Sequence, residues 1–177
     1  MRRFQVVVIG DSQAAEAACA LAEEVGAVVA RRGAALITGG RGGVMEAASR
    51  GARSAGGLTI GIVPSERLSE GNRWCDVVIP TGMGWARNAV NALAADLVVA
   101  IGGRAGTLTE IGYAWAYGRP VAAFADAAGW AARLAGEPVD DRREDRVIRL
   151  ADVAALDRLL AEHMALHGKN GGAGNDG

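Results

Sequence analysis

The sequence predicts a Rossmann-like, doubly wound α/β domain: a mostly parallel sheet of about seven strands flanked by helices. Three observations predict it. Short, uniformly apolar runs recur along the chain, alanine-rich stretches of helical length separate them, and glycine-rich segments follow two of the runs. Apolar runs this short, without polar alternation, read as strands buried on both faces, as in a parallel sheet covered by helices. Strand and helix in regular alternation argue for right-handed crossovers within one sheet.

In chain order, strands are expected at 5–9, 35–38, 58–63, 77–79, 97–101 and 121–124, with a weaker one at 147–150. Helices are expected at 14–32, 44–55, 86–95 and 108–117, and from Asp152 to about Leu166. Gly33 behind Arg31 and Arg32 is a glycine stop after a cationic last turn, and Gly118 before Arg119 and Pro120 repeats the device. Residues 64–76 read as a polar loop. The stretch 168–177, glycine and asparagine with almost nothing to bury, is expected to be a disordered tail, leaving 1–167 as a single domain.

Composition narrows the function. A chain of 177 residues, 50% hydrophobic, has the size of one domain with a sizeable core. Its net charge of -1 supplies no global field toward nucleic acid or an anionic membrane, so any phosphate has to be held locally. Cys19 and Cys75 have no metal-ligand spacing, and His163 and His167 have no acidic or cysteine companions, so no metal site is expected. The apolar run at 6–9 is too short for a signal peptide, and no stretch is long and uncharged enough to span a bilayer. A cytoplasmic protein is expected.

Two loops each follow an expected strand and open an expected helix. The first carries Gly39, Gly40, Gly42 and Gly43 and runs into Val44, Met45 and Glu46; the second carries Gly102, Gly103, Arg104, Ala105, Gly106 and Thr107 and leads to Glu110. Glycine lets backbone come close to a ligand, and the free amides and dipole of a helix start favour an anion such as phosphate. One such loop can be a plain tight turn, but two at strand carboxyl ends point to a crevice at a topological switch point. Neither is a dinucleotide fingerprint or a lysine-bearing P-loop.

Arg87, at the start of a helix, opposes the helix dipole unless an anion or carboxylate meets it. Glu110 stands one turn into the second loop's helix, where it can also cap with Thr107. Trp85, two residues before Arg87, can stack on a planar ligand or serve packing. Ser12, after the first strand, reads as a cap or ligand contact.

These residues resemble the LONELY GUY (LOG) superfamily, with its P-G-G-x-G-T-x-x-E loop, upstream arginine and earlier G-G-x-x-G-[LV]-M loop. The segments Gly43-Val44-Met45-Glu46-Ala47, Gly82-Met83-Gly84, Ala86-Arg87-Asn88 and Gly106-Thr107-Leu108-Thr109-Glu110 look like the branch that includes the molybdenum-cofactor carrier proteins. The resemblance implies a nucleotide-binding protein, and in its enzymatic members a phosphoribohydrolase that cleaves the N-glycosidic bond of a purine nucleoside 5′-monophosphate to base and ribose 5-phosphate. Carried onto this chain, Arg87 and Glu110 would be the catalytic pair. Gly39, Gly40, Gly42, Gly43, Gly103, Arg104, Gly106 and Thr107 would hold phosphate or nucleotide, with Ser12, Met45, Trp85 and Asn88 as further ligand contacts. No cofactor is required for the hydrolase; in the alternative, a carrier or sensor, the molybdenum cofactor or a nucleotide would be bound without chemistry.

Arg104 stands where the cytokinin-type loop has glycine, and Asn88 where it has lysine. Proteins with this loop are often labelled lysine decarboxylases, but pyridoxal-phosphate chemistry needs a preorganised lysine, and the only lysine here is Lys169. A homodimer is expected from the family, from the small side chains of helices 44–55 and 86–95, and from Tyr113, Trp115 and Tyr117 as aromatic surface.

Overall fold

The apolar runs pair side by side into one sheet. The computed structural model describes residues 2–172. Its strands are β1 (Gln5–Gly10), β2 (Ala35–Thr38), β3 (Thr59–Val63), β4 (Val77–Pro80), β5 (Leu97–Ile101), β6 (Val121–Phe124) and β7 (Ile148–Leu150). They lie in the order β4-β3-β2-β1-β5-β6-β7, and every pairing is parallel. The helices are α1 (Glu16–Arg31), α2 (Val44–Ser54), α3 (Arg87–Leu93), α4 (Ala105–Ala116), α5 (Gly129–Leu134) and α6 (Val153–Gly172). The protein is therefore the expected Rossmann-like α/β domain.

Because side chains alternate across a strand, β1 serves two cores at once. Val6 and Val8 pack toward α1, α2 and α6, whereas Val7 and Ile9 pack toward α3, α4 and α5. Helices thus cover both faces of the sheet. No helix among the described residues is long and apolar enough to cross a membrane.

The closest helix contact joins α1 to α2, and glycine makes it possible. A methyl on Gly26 would lie 2.0 Å from the Ala48 carbonyl oxygen, and one on Gly51 would lie 1.9 Å from that of Glu23. Six residues on α2, among them Ala47, Ala48 and Ala52, are buried with it. The small side chains of α2 are therefore used inside the protomer and are not free for a partner. Trp115 is likewise core: it is buried, its indole N–H donates to Asp140 at 3.0 Å, and Arg143 lies over its ring. Tyr113 and Tyr117 do stack on the surface, 6.0 Å between ring centroids.

Two elements differ from expectation. The sequence gives no cue for α5, because it is short and has no side-chain cap. Its start is held from outside: the N–H groups of Trp130 and Ala131 donate to the carbonyls of Gly103 and Gly102. α6 runs to Gly172, into the stretch expected as a tail, because Leu156 and Leu160 bury one side of it and a nucleated helix extends cheaply. The rest of that expectation, 173–177, lies outside the described residues.

The α1–α2 contact makes a test. Gly51→Ala should lose about 2 kcal/mol or more in urea unfolding, because backbone must move to admit the methyl. Gly112→Ala, in α4 with nothing near its missing Cβ, should instead gain up to about 1 kcal/mol.

Candidate functional site

The strand order reverses between β1 and β5, so the loops leaving these neighbours diverge and open a crevice at their carboxyl ends. Arg104, the residue before α4, reaches back across it to Asp11, with Nε and Oδ1 3.7 Å apart. The loop after β2 closes a third side. The Val44 N–H donates to the Asp11 carbonyl at 3.0 Å, and Gly43, at φ +63°, brings its backbone so near that a Cβ would stand 2.2 Å from the same oxygen.

The result is a cleft of about 380 Å³. Of the residues singled out in the sequence, Ser12, Met45, Trp85, Arg87, Asn88, Arg104, Gly106, Thr107 and Glu110 line it. Gly39, Gly40, Gly42, Gly43 and Gly103 do not; they shape it from behind. Gly39 leaves room for Arg87, whose Nη1 would be 2.2 Å from a Cβ there. Gly40 gives its N–H to the Thr38 hydroxyl and accepts from the Asn72 N–H. Gly42 backs onto the Ser12 carbonyl, and Gly103 accepts from α5.

The start of α4 also differs from expectation. The helix was expected from Leu108, but α4 starts at Ala105, with Arg104 in extended backbone before it and the Leu108 N–H bonded to the Arg104 carbonyl. Gly106 and Thr107 are therefore first-turn residues, whose amides have no intrahelical partner. The missing side chain of Gly106 makes room for the Trp85 ring, 3.3 Å from where a Cβ would be. Trp85 itself is 76% exposed at the pocket mouth.

The floor is polar and buried. Arg87 is only 7% exposed, and its Nε and Nη1 have no hydrogen-bond partner. It is not a solvated arginine. Burial pulls its pKa below the ordinary arginine value, with Glu110 opposing and Arg41 adding to the fall. Glu110 does not cap its helix; its Oε1 accepts a 2.7 Å hydrogen bond from Asn91 Nδ2. Burial, the largest influence, pushes the Glu110 carboxyl up to about 7, against that hydrogen bond and the charge of Arg87. No ion pair joins Arg87 to Glu110 among the described residues. Asn88 Nδ2 donates to Thr109 Oγ1 at 2.8 Å and so ties α3 to the first turn of α4.

Sequence reasoning missed Asp11, Gln13 and Arg41 in the lining and Asn91 behind it. Asn91 had a signal, since it stands four residues after Arg87 and hence on the same face of α3. The others had none, because loop residues show no periodicity. The arrangement has two poles. Arg87, Arg41, Arg104 and the helix starts of α2 and α4 favour an anion, while Glu110 can hold or release a proton near neutral pH.

Known proteins share this fold. The model of the SLOG cluster4 family matches residues 3–156. The chain is 33% identical to the molybdenum cofactor binding protein of Rippkaea orientalis, with a TM-score of 0.83 over 93% of this chain and 99% of that one. The molybdenum cofactor carrier protein of Chlamydomonas reinhardtii gives the same identity and coverage and a TM-score of 0.81. A cytokinin riboside 5′-monophosphate phosphoribohydrolase of Mycobacterium tuberculosis is 35% identical over 101 residues, which are 55% of this chain and 54% of that protein. The match thus spans about half the length of that enzyme.

The pKa of Glu110 makes a stability prediction. An acid raised from 4.5 to about 7 on folding costs nothing below pH 4.5, where it is neutral in both states. The cost grows as pH rises between the two values and is full above about 7. Glu110→Gln should therefore be more stable than the parent at pH 8, by up to about 3 kcal/mol, with the difference vanishing near pH 4.5. Urea unfolding at the two pH values reads it.

Proposed function

The chain belongs to the SLOG cluster4 family, and on that premise we propose that it is a phosphoribohydrolase, cleaving the N-glycosidic bond of a purine nucleoside 5′-monophosphate. The observation that carries this reading is that Arg87 and Glu110 are both buried in one cleft and not paired with each other. A buried guanidinium whose Nε and Nη1 have no hydrogen-bond partner calls for a compensating anion, and a phosphate in the cleft would supply the charge. A buried carboxyl near neutrality, hydrogen-bonded to a neutral amide and not to a cation, is suited to proton transfer.

In the proposed reaction, the 5′-phosphate is held by Arg87 and the first-turn amides of α4. The bond from C1′ to the base nitrogen breaks through an oxocarbenium-like state, which the Glu110 carboxylate stabilises. Water adds its oxygen to C1′ and gives a proton to Glu110; the leaving base nitrogen takes up one proton from solvent and Glu110 returns its own to solvent, so that one water is consumed and the carboxylate is restored. The products are free base and ribose 5-phosphate. Holding the remote phosphate fixes the ribose, so binding energy far from C1′ contributes to the rate.

A second reading has its own support. The molybdenum cofactor proteins match this chain over almost their whole length, and Trp85 offers an exposed ring at the mouth beside Arg87. On that reading the cleft carries a phosphorylated pterin: Arg87 would hold its phosphate and Trp85 its flat ring system, and Glu110 would hydrogen-bond without chemistry. Either ligand would need no metal bound by the protein. A homodimer is part of the proposal, now resting on Tyr113, Tyr117 and the exposed Leu93 and not on α2 or Trp115.

Incubation with adenosine monophosphate should release adenine and ribose 5-phosphate. Glu110→Gln should abolish release while keeping affinity within about threefold, and Arg87→Ala should weaken binding by tenfold or more. Tight binding without base release would favour the carrier, as would a pterin absorbance in the freshly purified protein.

A further inference from the structure

Asn91 lies on α3, one turn beyond Arg87, fully buried and outside the pocket lining. Its amide nitrogen donates to Glu110 Oε1 at 2.7 Å, while its own oxygen is buried without a donor. The other Glu110 oxygen has no protein partner among the described residues, and Glu110 lines the pocket. One oxygen is held from behind, which leaves the other free on a residue that lines the pocket.

We propose that Asn91 is a positioning residue that clamps one oxygen of Glu110 in both protonation states of the acid, so that the second oxygen is always presented to the ligand. This rests on the reading of Glu110 as the group that takes up a proton in the cleft. A carboxamide has a donor on one arm and an acceptor on the other, in nearly the same shape. With Glu110 ionised, the Asn91 nitrogen donates to Oε1. When Oε1 carries the proton, a half-turn of the amide brings the idle Asn91 oxygen to accept it. The clamp then survives the proton transfer, and the free oxygen stays an acceptor toward the pocket throughout. An apolar side chain of the same shape can do neither.

The surrounding charges leave this role to Asn91. Arg87, from α3, is the charged group that acts on Glu110. Arg41 lines the pocket from the loop after β2, and Arg104 before α4 is engaged with Asp11 after β1. None of these hydrogen-bonds the carboxylate.

The test titrates Glu110 directly in the full-length chain by difference infrared spectroscopy, following the acid carbonyl band that disappears in Glu110→Gln. In Asn91→Leu the midpoint should rise by up to about one pH unit, because the charge-assisted bond to the ionised form that is lost is stronger than the neutral bond lost from the acid. Turnover of adenosine monophosphate at pH 7 should fall roughly tenfold or more, with KM changed less than threefold because Arg87 still holds the phosphate. A folded Asn91→Leu protein with an unmoved midpoint overturns the positioning role, whether or not the nucleotide is hydrolysed. A shifted midpoint in a chain that never releases adenine supports the positioning role and overturns the hydrolase reading. Should Asn91→Leu fail to fold, Asn91→Asp keeps the shape and sets two carboxyls face to face. One of that pair should then stay protonated well above pH 7; two independent titrations in the ordinary carboxylate range overturn the proposal.

Discussion

A guanidinium taken out of water has to find acceptors, and in this chain Arg87 finds none for two of its nitrogens. Much of the site follows from that one charge. Gly39 lacks a side chain where the guanidinium lies, Met45 packs beside it, and the sheet reverses its order next to it. Desolvation of this kind costs several kcal/mol unless it is matched. Such a cost, kept without an internal partner, is what the proposed anionic ligand would offset.

Glu110 carries the complementary constraint. It shares the buried floor with Arg87, yet the two do not collapse into an ion pair, which would satisfy both and leave the cleft nothing to do. The separation is enforced by α3 and α4 packing side by side: Asn88 ties α3 to the Thr109 hydroxyl, and Asn91 takes Glu110. Burial then raises the acid toward neutrality while Arg87 and Asn91 hold it from rising further. The same burial that destabilises the folded state above pH 7 gives the carboxyl a proton affinity useful for chemistry.

The glycine loops also divide by function more finely than their composition implies. In the first loop, glycines let backbone meet backbone at Asp11 and Ser12 and clear space for Arg87. In the second, Gly103 serves the docking of α5 and Gly106 the seating of Trp85. The cleft is lined instead by the side chains and the first turn of α4 that these contacts position. In this chain the glycine-rich loops are packing devices, whatever ligand the cleft takes.

The sequence by itself determined the strands, their parallel pairing and every helix but α5, because uniformly apolar runs and alanine-rich stretches are local patterns with local causes. It also marked Arg87, a cation out of place at a helix start, while Glu110 stood out only through the motif it shares with the resembled family. Only the tertiary structure decided that Trp115 and the small face of α2 are internal, that α5 forms at all, and that Asn91 meets Glu110. Each of these depends on a partner distant in sequence, such as Asp140 for Trp115, the Gly102 and Gly103 carbonyls for α5, and Glu23 for Gly51. Local pattern fixes which face of an element is apolar, but which neighbour covers it is settled only when the chain closes on itself.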